Sequence, residues 1–279
     1  MNGLLLINKD KNMTSRDVIN KLNHIFSMKK IGHTGTLDPL ATGVMVCLFG
    51  KYTKLVDLIT SYDKEYIAEI KLGVKTDTLD ITGNVIERQN VKVTNEDILK
   101  VFSNFPKEYM QEVPIYSAVK INGKKLYEYA RNNQLIELPK RKVNIYNLEI
   151  ISFNKDIITF KVKVSKGTYI RSLINDLCEK LNTIGTMNNL IRTKQGNFDI
   201  KDSYKLEEIA KGNYQFQNIK EFLDYPVIEI PNELIKKVEN GNKVENVFNI
   251  DDKVIFTKNN KDLAIYENKN NTLYPLIIF

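Results

Sequence analysis

The stretch of sequence that decides this fold spans residues 30–43 and reads Lys-Ile-Gly-His-Thr-Gly-Thr-Leu-Asp-Pro-Leu-Ala-Thr-Gly. Three glycines, three threonines and an alanine surround a single carboxylate, that of Asp38. Such small residues let the backbone of a bulky partner come close. Pro39 biases Asp38 away from the helical region of backbone space, so the carboxylate is predicted to project from a loop or a strand end. Most Asp-Pro pairs only start a turn, so a functional role for Asp38 needs further support.

The segments around this loop have patterns that predict regular elements. The apolar runs Gly3 to Asn8 and Gly43 to Phe49 predict two strands. Thr14-Ser15-Arg16-Asp17 has the form of a capping box and predicts the start of a helix. Lys64 to Leu72 alternates between apolar and charged residues, which predicts a strand with Tyr66 on its buried face. The loop is therefore expected to lie between elements that hold it rigid.

Later segments add helices and paired strands without a regular alternation of the two. A second capping box, Thr94-Asn95-Glu96-Asp97, predicts another helix. Val143 to Phe153 and Ile157 to Val164 predict a pair of strands. Tyr169 to Leu181 has the apolar spacing of a helix and places Arg171 in its first turn. This mixture predicts an α+β fold with a mostly antiparallel sheet.

The pattern of the chain changes after Pro226. The apolar segments become short, and the pairs Asn259-Asn260 and Asn270-Asn271 separate them as turns do. We therefore expect a boundary here, with one domain over residues 1–225 and a small β-rich domain over residues 226–279.

The composition favours a polyanionic partner. Lys and Arg number 41 against 34 for Asp and Glu, which gives a formal net charge of +7 and a pI near 9.1. A basic protein gains affinity for nucleic acid by releasing the counterions of the phosphates. Lys29, Lys30, Lys166 and Arg192 also lie near the predicted chemistry in sequence. Nucleic acid is therefore the expected partner.

Several other classes of protein are disfavoured. Cys47 and Cys178 have apolar neighbours and are predicted to be small buried hydrophobic residues. With His24 and His33 they show no metal-ligand spacing, so no metal site is expected. The apolar run from Leu4 to Ile7 is too short for a signal peptide, and no uncharged segment reaches membrane-spanning length. We expect a cytoplasmic protein with no membrane partner.

The sequence from Gly32 to Gly43 resembles the signature of the TruB-type tRNA pseudouridine synthases almost residue for residue. The resemblance continues in the family's order through Asp63 to Tyr66, Lys75 to Thr78, Pro114 to Lys120, Gly123 to Arg131 and Ser165 to Arg171. It implies the pseudouridine synthase fold, with a mixed, mostly antiparallel central sheet flanked by helices, followed by a short PUA-like RNA-binding domain. It also implies isomerisation of uridine 55 in the T-loop of tRNA.

This reaction moves the bond to the ribose from N1 of uracil to C5 and needs no cofactor. The resemblance implies Asp38 as the nucleophile and Arg171 as its partner. A carboxylate in a site from which water is partly excluded needs a cation beside it, and a guanidinium can bind it through two hydrogen bonds. Tyr66 offers a ring that can stack on the displaced base and a hydroxyl that can transfer a proton.

The resemblance further implies residues that bind the RNA. His33 matches the residue that the family inserts into the RNA loop when the target base is flipped out. Leu190 matches an apolar residue that packs on the base, although Ile191-Arg192 replaces the pair of arginines that usually follows. The other matching positions are Gly32, Thr34, Lys9 and Asp80. Lys9 belongs to a Lys-Pro motif in the family, but Asp10 replaces the Pro here.

Two alternatives differ from this interpretation. A non-catalytic tRNA-binding or tRNA-folding protein would fit the charge, but its binding loop would gain nothing from Asp38, which repels phosphate. Gly50-Lys51 suggests a nucleotide-binding enzyme. However, the spacing of the glycines does not match a P-loop, and Tyr52 follows the lysine where a P-loop has Ser or Thr. The expected partner is the T-arm of tRNA, with no obligate protein partner.

Overall fold

The computed structural model describes residues 1–132 and 134–279. Within them the α-helices are α1 (Ser15–Ile25), α2 (Val56–Thr60), α3 (Asn95–Ser103), α4 (Leu126–Arg131), α5 (Ile170–Lys180), α6 (Leu206–Ala210) and α7 (Asn232–Glu239). Short 3₁₀ helices cover Gly50–Leu55, Ile200–Asp202 and Ile219–Glu221.

The strands of the first half are β1 (Gly3–Lys9), β2 (Ile31–His33), β3 (Thr42–Phe49), β4 (Lys64–Leu72), β5 (Val74–Thr76), β6 (Val85–Arg88), β7 (Glu108–Glu112), β8 (Lys120–Ile121) and β9 (Lys124–Lys125). The strands of the second half are β10 (Lys140–Asn154), β11 (Ile157–Val164), β12 (Gly185–Gln195), β13 (Phe198–Asp199), β14 (Val227–Glu229), β15 (Val244–Glu245), β16 (Lys253–Lys258), β17 (Lys261–Lys269) and β18 (Thr272–Ile278).

The central sheet has the strand order β1-β3-β12-β4-β11-β10-β7, with β2 beside β3 and β13 beside β12. Its neighbouring strands are antiparallel, apart from the parallel pair β3 and β12. The predicted α+β fold with a mixed, mostly antiparallel sheet is confirmed. Both capping boxes also form, at Thr14 before α1 and at Thr94 before α3.

The first strand is apolar along its length because both of its faces are buried. Leu5 and Ile7 pack in one cluster with residues of α1 and α6. Leu4 and Leu6 face the other way, in a cluster that includes Ile265 of β17. A separate cluster fills the space between the middle of the sheet and the helices α3 and α5.

The residues after Pro226 form a second sheet with the order β14-β16-β17-β18-β15. It has its own core, which includes Phe256 and Tyr266. Its other face contributes Ile255, Ile265 and Ile277 to the cluster that covers Leu4 and Leu6. The two sheets therefore share a hydrophobic core.

Candidate active site

A cleft of about 1020 Å³ opens where the loop before β3 meets β4, β12 and the start of α5. The loop contributes residues 35–38 to its wall, and β4 contributes Tyr66. Leu190 and Arg192 reach the cleft from β12, the neighbour of β4. Most of the remaining wall comes from residues 116–121, 139–142 and 165–171. The topology thus brings residues from six parts of the chain to one cavity.

Asp38 and Arg171 form an ion pair in this cleft. Nε of Arg171 lies 2.9 Å from Oδ2 of Asp38, and Nη2 lies 3.3 Å from Oδ1, so the carboxylate accepts two hydrogen bonds from one guanidinium. The Asp38 side chain is 32% exposed, whereas that of Arg171 is only 5% exposed. The buried guanidinium therefore fixes the carboxylate, which remains accessible to a reactant in the cleft.

Arg171 is also bonded to two backbone carbonyl groups. Nη1 donates to the oxygen of Thr78, and Nη2 donates to the oxygen of Tyr116, each at 3.0 Å. A buried guanidinium is stable only when its donors are paired, and here loops 77–83 and 114–119 pair them. Asp38 and these two loops together fix the direction of the guanidinium.

The backbone on both sides of Asp38 is held by hydrogen bonds. Oγ of Ser15, in the first turn of α1, accepts from the amide of Leu37 at 2.9 Å. The carbonyl of Pro39 accepts from the amide of Asn12 at 2.8 Å and from Nζ of Lys9 at 3.3 Å. Asp38 therefore sits between two anchored residues, as the sequence predicted for a rigid loop.

Arg192 lies beneath the loop. Its side chain is 1% exposed and donates to the carbonyls of Val44 at 2.7 Å and Gly35 at 3.1 Å. Gly43 has a φ of 106°, and a Cβ there would lie 2.2 Å from the carbonyl oxygen of Arg192, so only glycine fits. The sequence placed Arg192 near the predicted chemistry, and the residue does line the cleft, where its buried guanidinium supports the loop that carries Asp38.

Tyr66 and Leu190 lie on neighbouring strands and are 8% and 6% exposed. Both line the cleft, which places a flat ring and an aliphatic side chain beside Asp38. No hydrogen bond joins the Tyr66 hydroxyl to any other of the described residues. Packing thus fixes the ring of Tyr66, while its hydroxyl makes no hydrogen bond within the described residues.

Two of the residues expected to bind RNA are fully buried. The side chain of Thr34 is 0% exposed, and its hydroxyl accepts from Nε2 of Gln195 at 2.9 Å. Lys9 is also 0% exposed, and its Nζ donates to the carbonyls of Asp10, Met13 and Pro39. The expectation of RNA contact is therefore corrected for both, because neither side chain reaches the surface. Each supports the loop instead.

The other predicted residues, Gly32, His33 and Asp80, are half-buried or buried. Gly32 and His33 are half-buried in β2, outside the wall of the cleft. Burial, followed by the charges of Arg192 and Arg16, lowers the pKa of His33, so its ring is favoured in the neutral form. Asp80 is 7% exposed and accepts from Thr78 and Thr82, which shapes the loop that binds Arg171.

Two buried lysines have lowered pKa values. Burial lowers the pKa of Lys9 to about 8, against the opposing charges of Asp10 and Asp38. Burial, with the charge of Arg192, also lowers the pKa of Lys64 to about 8. Nζ of Lys64 donates to the carbonyls of Thr60 and Tyr62, each at 2.6 Å. Both amines thus support backbone beside the cleft.

The outer part of the cleft is basic. Its lining includes Lys120, Lys140, Arg141, Lys142 and Lys166. Lys142 pairs with Glu108 at 2.8 Å, and the described residues show no ion pair for the other four. A polyanion is therefore attracted to the mouth of the cavity that contains Asp38.

In residues 1–132 and 134–279 there is no cluster of three or more His, Cys, Asp or Glu side chains placed to hold a metal ion. None of the helices within the same residues is long and apolar enough to cross a membrane. Cys47 and Cys178 are buried, as predicted.

Comparisons with known proteins agree with this geometry. The family described as TruB family pseudouridylate synthase (N terminal domain) matches residues 23–170. A protein named tRNA pseudouridine synthase B from Caldanaerobacter subterraneus subsp. tengcongensis is 41% identical over 95% of this chain and 94% of its own length. A protein of the same name from Clostridium kluyveri is 40% identical over 97% of this chain and 96% of its own length.

Solved structures show the same fold at lower identity. A chain from the structure titled Cbf5-Nop10-Gar1 Complex superposes with a TM-score of 0.74 at 22% identity, over 99% of this chain and 84% of that chain. A chain from a structure of an H/ACA RNP bound to a substrate RNA containing 2'-deoxyuridine gives a TM-score of 0.72 at 20% identity, over 99% and 83% of the two chains.

Proposed function

The chain belongs to the TruB family of pseudouridylate synthases, and from this premise we propose that it converts uridine 55 in the T-loop of tRNA to pseudouridine with Asp38 as the nucleophile. The names of its relatives support tRNA as the substrate. The position of the uridine rests on the resemblance in the sequence from Gly32 to Gly43.

The reaction is an isomerisation, so its atoms balance without a second reactant. The bond from C1′ of the ribose to N1 of uracil breaks, the base turns, and C1′ bonds to C5. C5 loses a proton, and N1 ends with one. The protein must supply a carboxylate that acts on the nucleoside and a cavity that retains the free base.

The observation that carries the proposal is the unequal exposure of the ion pair. Asp38 is 32% exposed towards the cleft, whereas Arg171 is 5% exposed and holds the carboxylate with two hydrogen bonds. The exposed side of the carboxylate can meet a nucleoside that enters the cleft, while the buried guanidinium keeps the carboxylate in place. We assign Asp38 as the nucleophile and Arg171 as the residue that orients it and balances its charge.

Tyr66 and Leu190 are assigned to the base. Their side chains line the same cleft as Asp38, so a uracil ring that enters it can stack on Tyr66 and pack against Leu190. The unengaged hydroxyl of Tyr66 is suited to transfer a proton during rearrangement. His33 and Gly32, beside the mouth of the cleft, are assigned to the RNA strand from which the uridine is flipped.

The RNA is proposed to bind across the basic mouth of the cleft. Lys120, Lys140 and Lys166 are exposed there and suited to phosphate groups. We further propose that residues 1–225 form the catalytic domain and that residues 226–279 form a short PUA-like RNA-binding domain. The second sheet supports this division. A tRNA substrate supports a cytoplasmic location, which we also propose.

The test is to incubate the purified chain alone with a bulk tRNA pool that lacks pseudouridine and to map the modified positions. We expect pseudouridine at position 55 of many tRNAs, without an added protein partner or cofactor. Modification at another position would overturn the proposed specificity. No modification by the chain alone, with modification after addition of a cell extract, would show that a partner is required.

A further inference from the structure

Strand β7 holds helix α5, which carries Arg171, at three points along one face. Oγ of Ser172 donates to the carbonyl of Glu112 at 2.8 Å. The hydroxyl of Tyr109 donates to Oδ2 of Asp176 at 2.7 Å. The third point is Tyr169, the residue that begins the helix. Positions 169, 172 and 176 share one helical face, so the strand fixes both the position and the rotation of α5.

Gln111 makes the contact with Tyr169 through both atoms of its amide. Its Oε1 accepts from the backbone amide of Tyr169 at 2.8 Å, and its Nε2 donates to the backbone carbonyl of Tyr169 at 3.2 Å. Nε2 also donates to the Tyr109 hydroxyl at 2.8 Å. Gln111 is 1% exposed, so these bonds form away from water.

The start of α5 depends on this contact because its own sequence supplies no cap. Tyr169 occupies the N-cap position and makes no side-chain capping hydrogen bond. Arg141, which pairs with Gln111 across β10 and β7, has its guanidinium 5.5 Å from the centre of the Tyr169 ring. Residue 169 is thus held by its backbone from β7 and by its ring from β10.

The same strand leads into the loop that binds the other side of Arg171. Two residues separate Gln111 from Pro114, and the carbonyl of Tyr116 then accepts from Nη2 of Arg171 at 3.0 Å. Gln111 therefore connects the helix that carries the guanidinium with the loop that receives it.

We propose that Gln111 is a positioning residue for the reaction, which fixes the first turn of α5 so that Arg171 meets Asp38. This inference rests on the proposed roles of Asp38 and Arg171. Gln111 does not line the cleft, so it acts on the substrate only through Arg171.

The test compares Gln111→Met, which keeps the size of the side chain and removes its hydrogen bonds, with Thr94→Val. Thr94 also fixes the start of a helix, since it is the N-cap of α3 and forms a capping box with Asp97, but α3 carries none of the proposed site residues. We expect both variants to lose thermal stability, and only Gln111→Met to lose activity. Its kcat should fall by roughly 10-fold to 100-fold, with KM unchanged within about twofold.

A second measurement does not depend on turnover. In a ¹H–¹⁵N spectrum of the arginine Nε groups, the Nε–H of Arg171 should be protected from exchange in the wild type and in Thr94→Val, because it donates to Asp38. We expect this protection to fall in Gln111→Met. Gln111→Asn, whose amide is too short by one methylene group to reach both backbone atoms of Tyr169, should also lose protection and activity.

An unchanged kcat and an unchanged Arg171 signal in folded Gln111→Met would overturn the proposal, as would a change confined to KM. If the wild type modifies no uridine, the proposed function fails, whereas the exchange measurement still decides whether Gln111 positions Arg171. If Gln111→Met does not fold, Gln111→Asn, which keeps a neutral side chain, decides the matter by the same two measurements.

Discussion

Nε of Arg171 lies 2.9 Å from Oδ2 of Asp38 although the two residues are 133 positions apart in the chain. The contact joins a loop before β3 to the first turn of α5. Its formation requires most of the central sheet to be in place, since β4, β10 and β11 lie between these elements in sequence. The proposed chemistry therefore depends on the complete fold.

Asp38→Asn should abolish isomerisation and preserve RNA binding. The amide keeps the size of the side chain but is a far weaker nucleophile, so we expect kcat to fall by more than roughly 1000-fold. The Kd for a T-arm stem-loop should stay within about threefold. Asp57→Asn, at an exposed position in α2, makes the same charge change and should retain full activity. Undiminished turnover by Asp38→Asn would exclude the mechanism.

Arg171→Lys should lose both activity and stability. An ammonium cannot reproduce the two bonds to Asp38 together with the bonds to the carbonyls of Thr78 and Tyr116. We expect kcat to fall on the order of 100-fold and the free energy of unfolding, from urea titration, to fall by about 2 kcal/mol. The exposed Arg88 provides the control, since Arg88→Lys should change neither quantity. Wild-type kcat in Arg171→Lys would show that bidentate geometry is unnecessary.

Tyr66→Phe should separate catalysis from folding. The hydroxyl has no hydrogen bond among the described residues, so its removal should leave Tm nearly unchanged, while loss of proton transfer should lower kcat by roughly 100-fold. Tyr66→Leu also removes the ring and should lower both Tm and kcat. Equal activity of Tyr66→Phe and the wild type would restrict Tyr66 to stacking.

Stability should rise between pH 8 and about 9.5 because of the buried lysines. The pKa values of Lys9 and Lys64 are lowered from 10.5 to about 8 in the folded protein. In this range the unfolded chain binds more protons than the folded one, so the free energy of unfolding increases with pH. The contribution approaches about 1.4 kcal/mol per pH unit for each lysine. Above this range, ionisation of tyrosines in the unfolded chain opposes the rise.

Urea titrations at several pH values check this prediction. Neutral Lys64 still has two N–H groups for its two carbonyl partners, so its deprotonation leaves the local structure intact. Lys64→Met should remove its share of the rise, whereas Lys211→Met, at an exposed position, should not. A free energy of unfolding that stays constant from pH 8 to 9.5 in the wild type would contradict the assignment.

Local patterns in the sequence predicted the elements well. The alternation from Lys64 to Leu72 predicted β4 with the bounds that the structure has. Alternation reports burial on one face directly, and a capping box is a contact within four residues, as at Thr14. The pairing of Asp38 with Arg171 came from the family resemblance, because spacing along the chain does not show which loops meet.

The sequence did not show whether its charged side chains point into the protein or towards solvent. Lys9 was interpreted as a residue that binds RNA, yet it is buried and donates to backbone carbonyls, as Arg192 also does. These carbonyls lie in three places, namely the segment after β1, the loop before β3 and β3 itself, and only the tertiary fold brings them to one buried amine or guanidinium. One feature of the sequence could have indicated that Arg192 is buried: it follows Leu190 by two residues and therefore lies on the same face of β12.

The core shared by the two sheets has a consequence for synthesis of the protein. Ile255, Ile265 and Ile277, which help to cover Leu4 and Leu6, are translated more than 240 positions after them. One face of β1 and β3 therefore stays partly uncovered until these isoleucines have been translated. Up to that point the nascent chain should be a substrate for chaperones that bind exposed apolar strands.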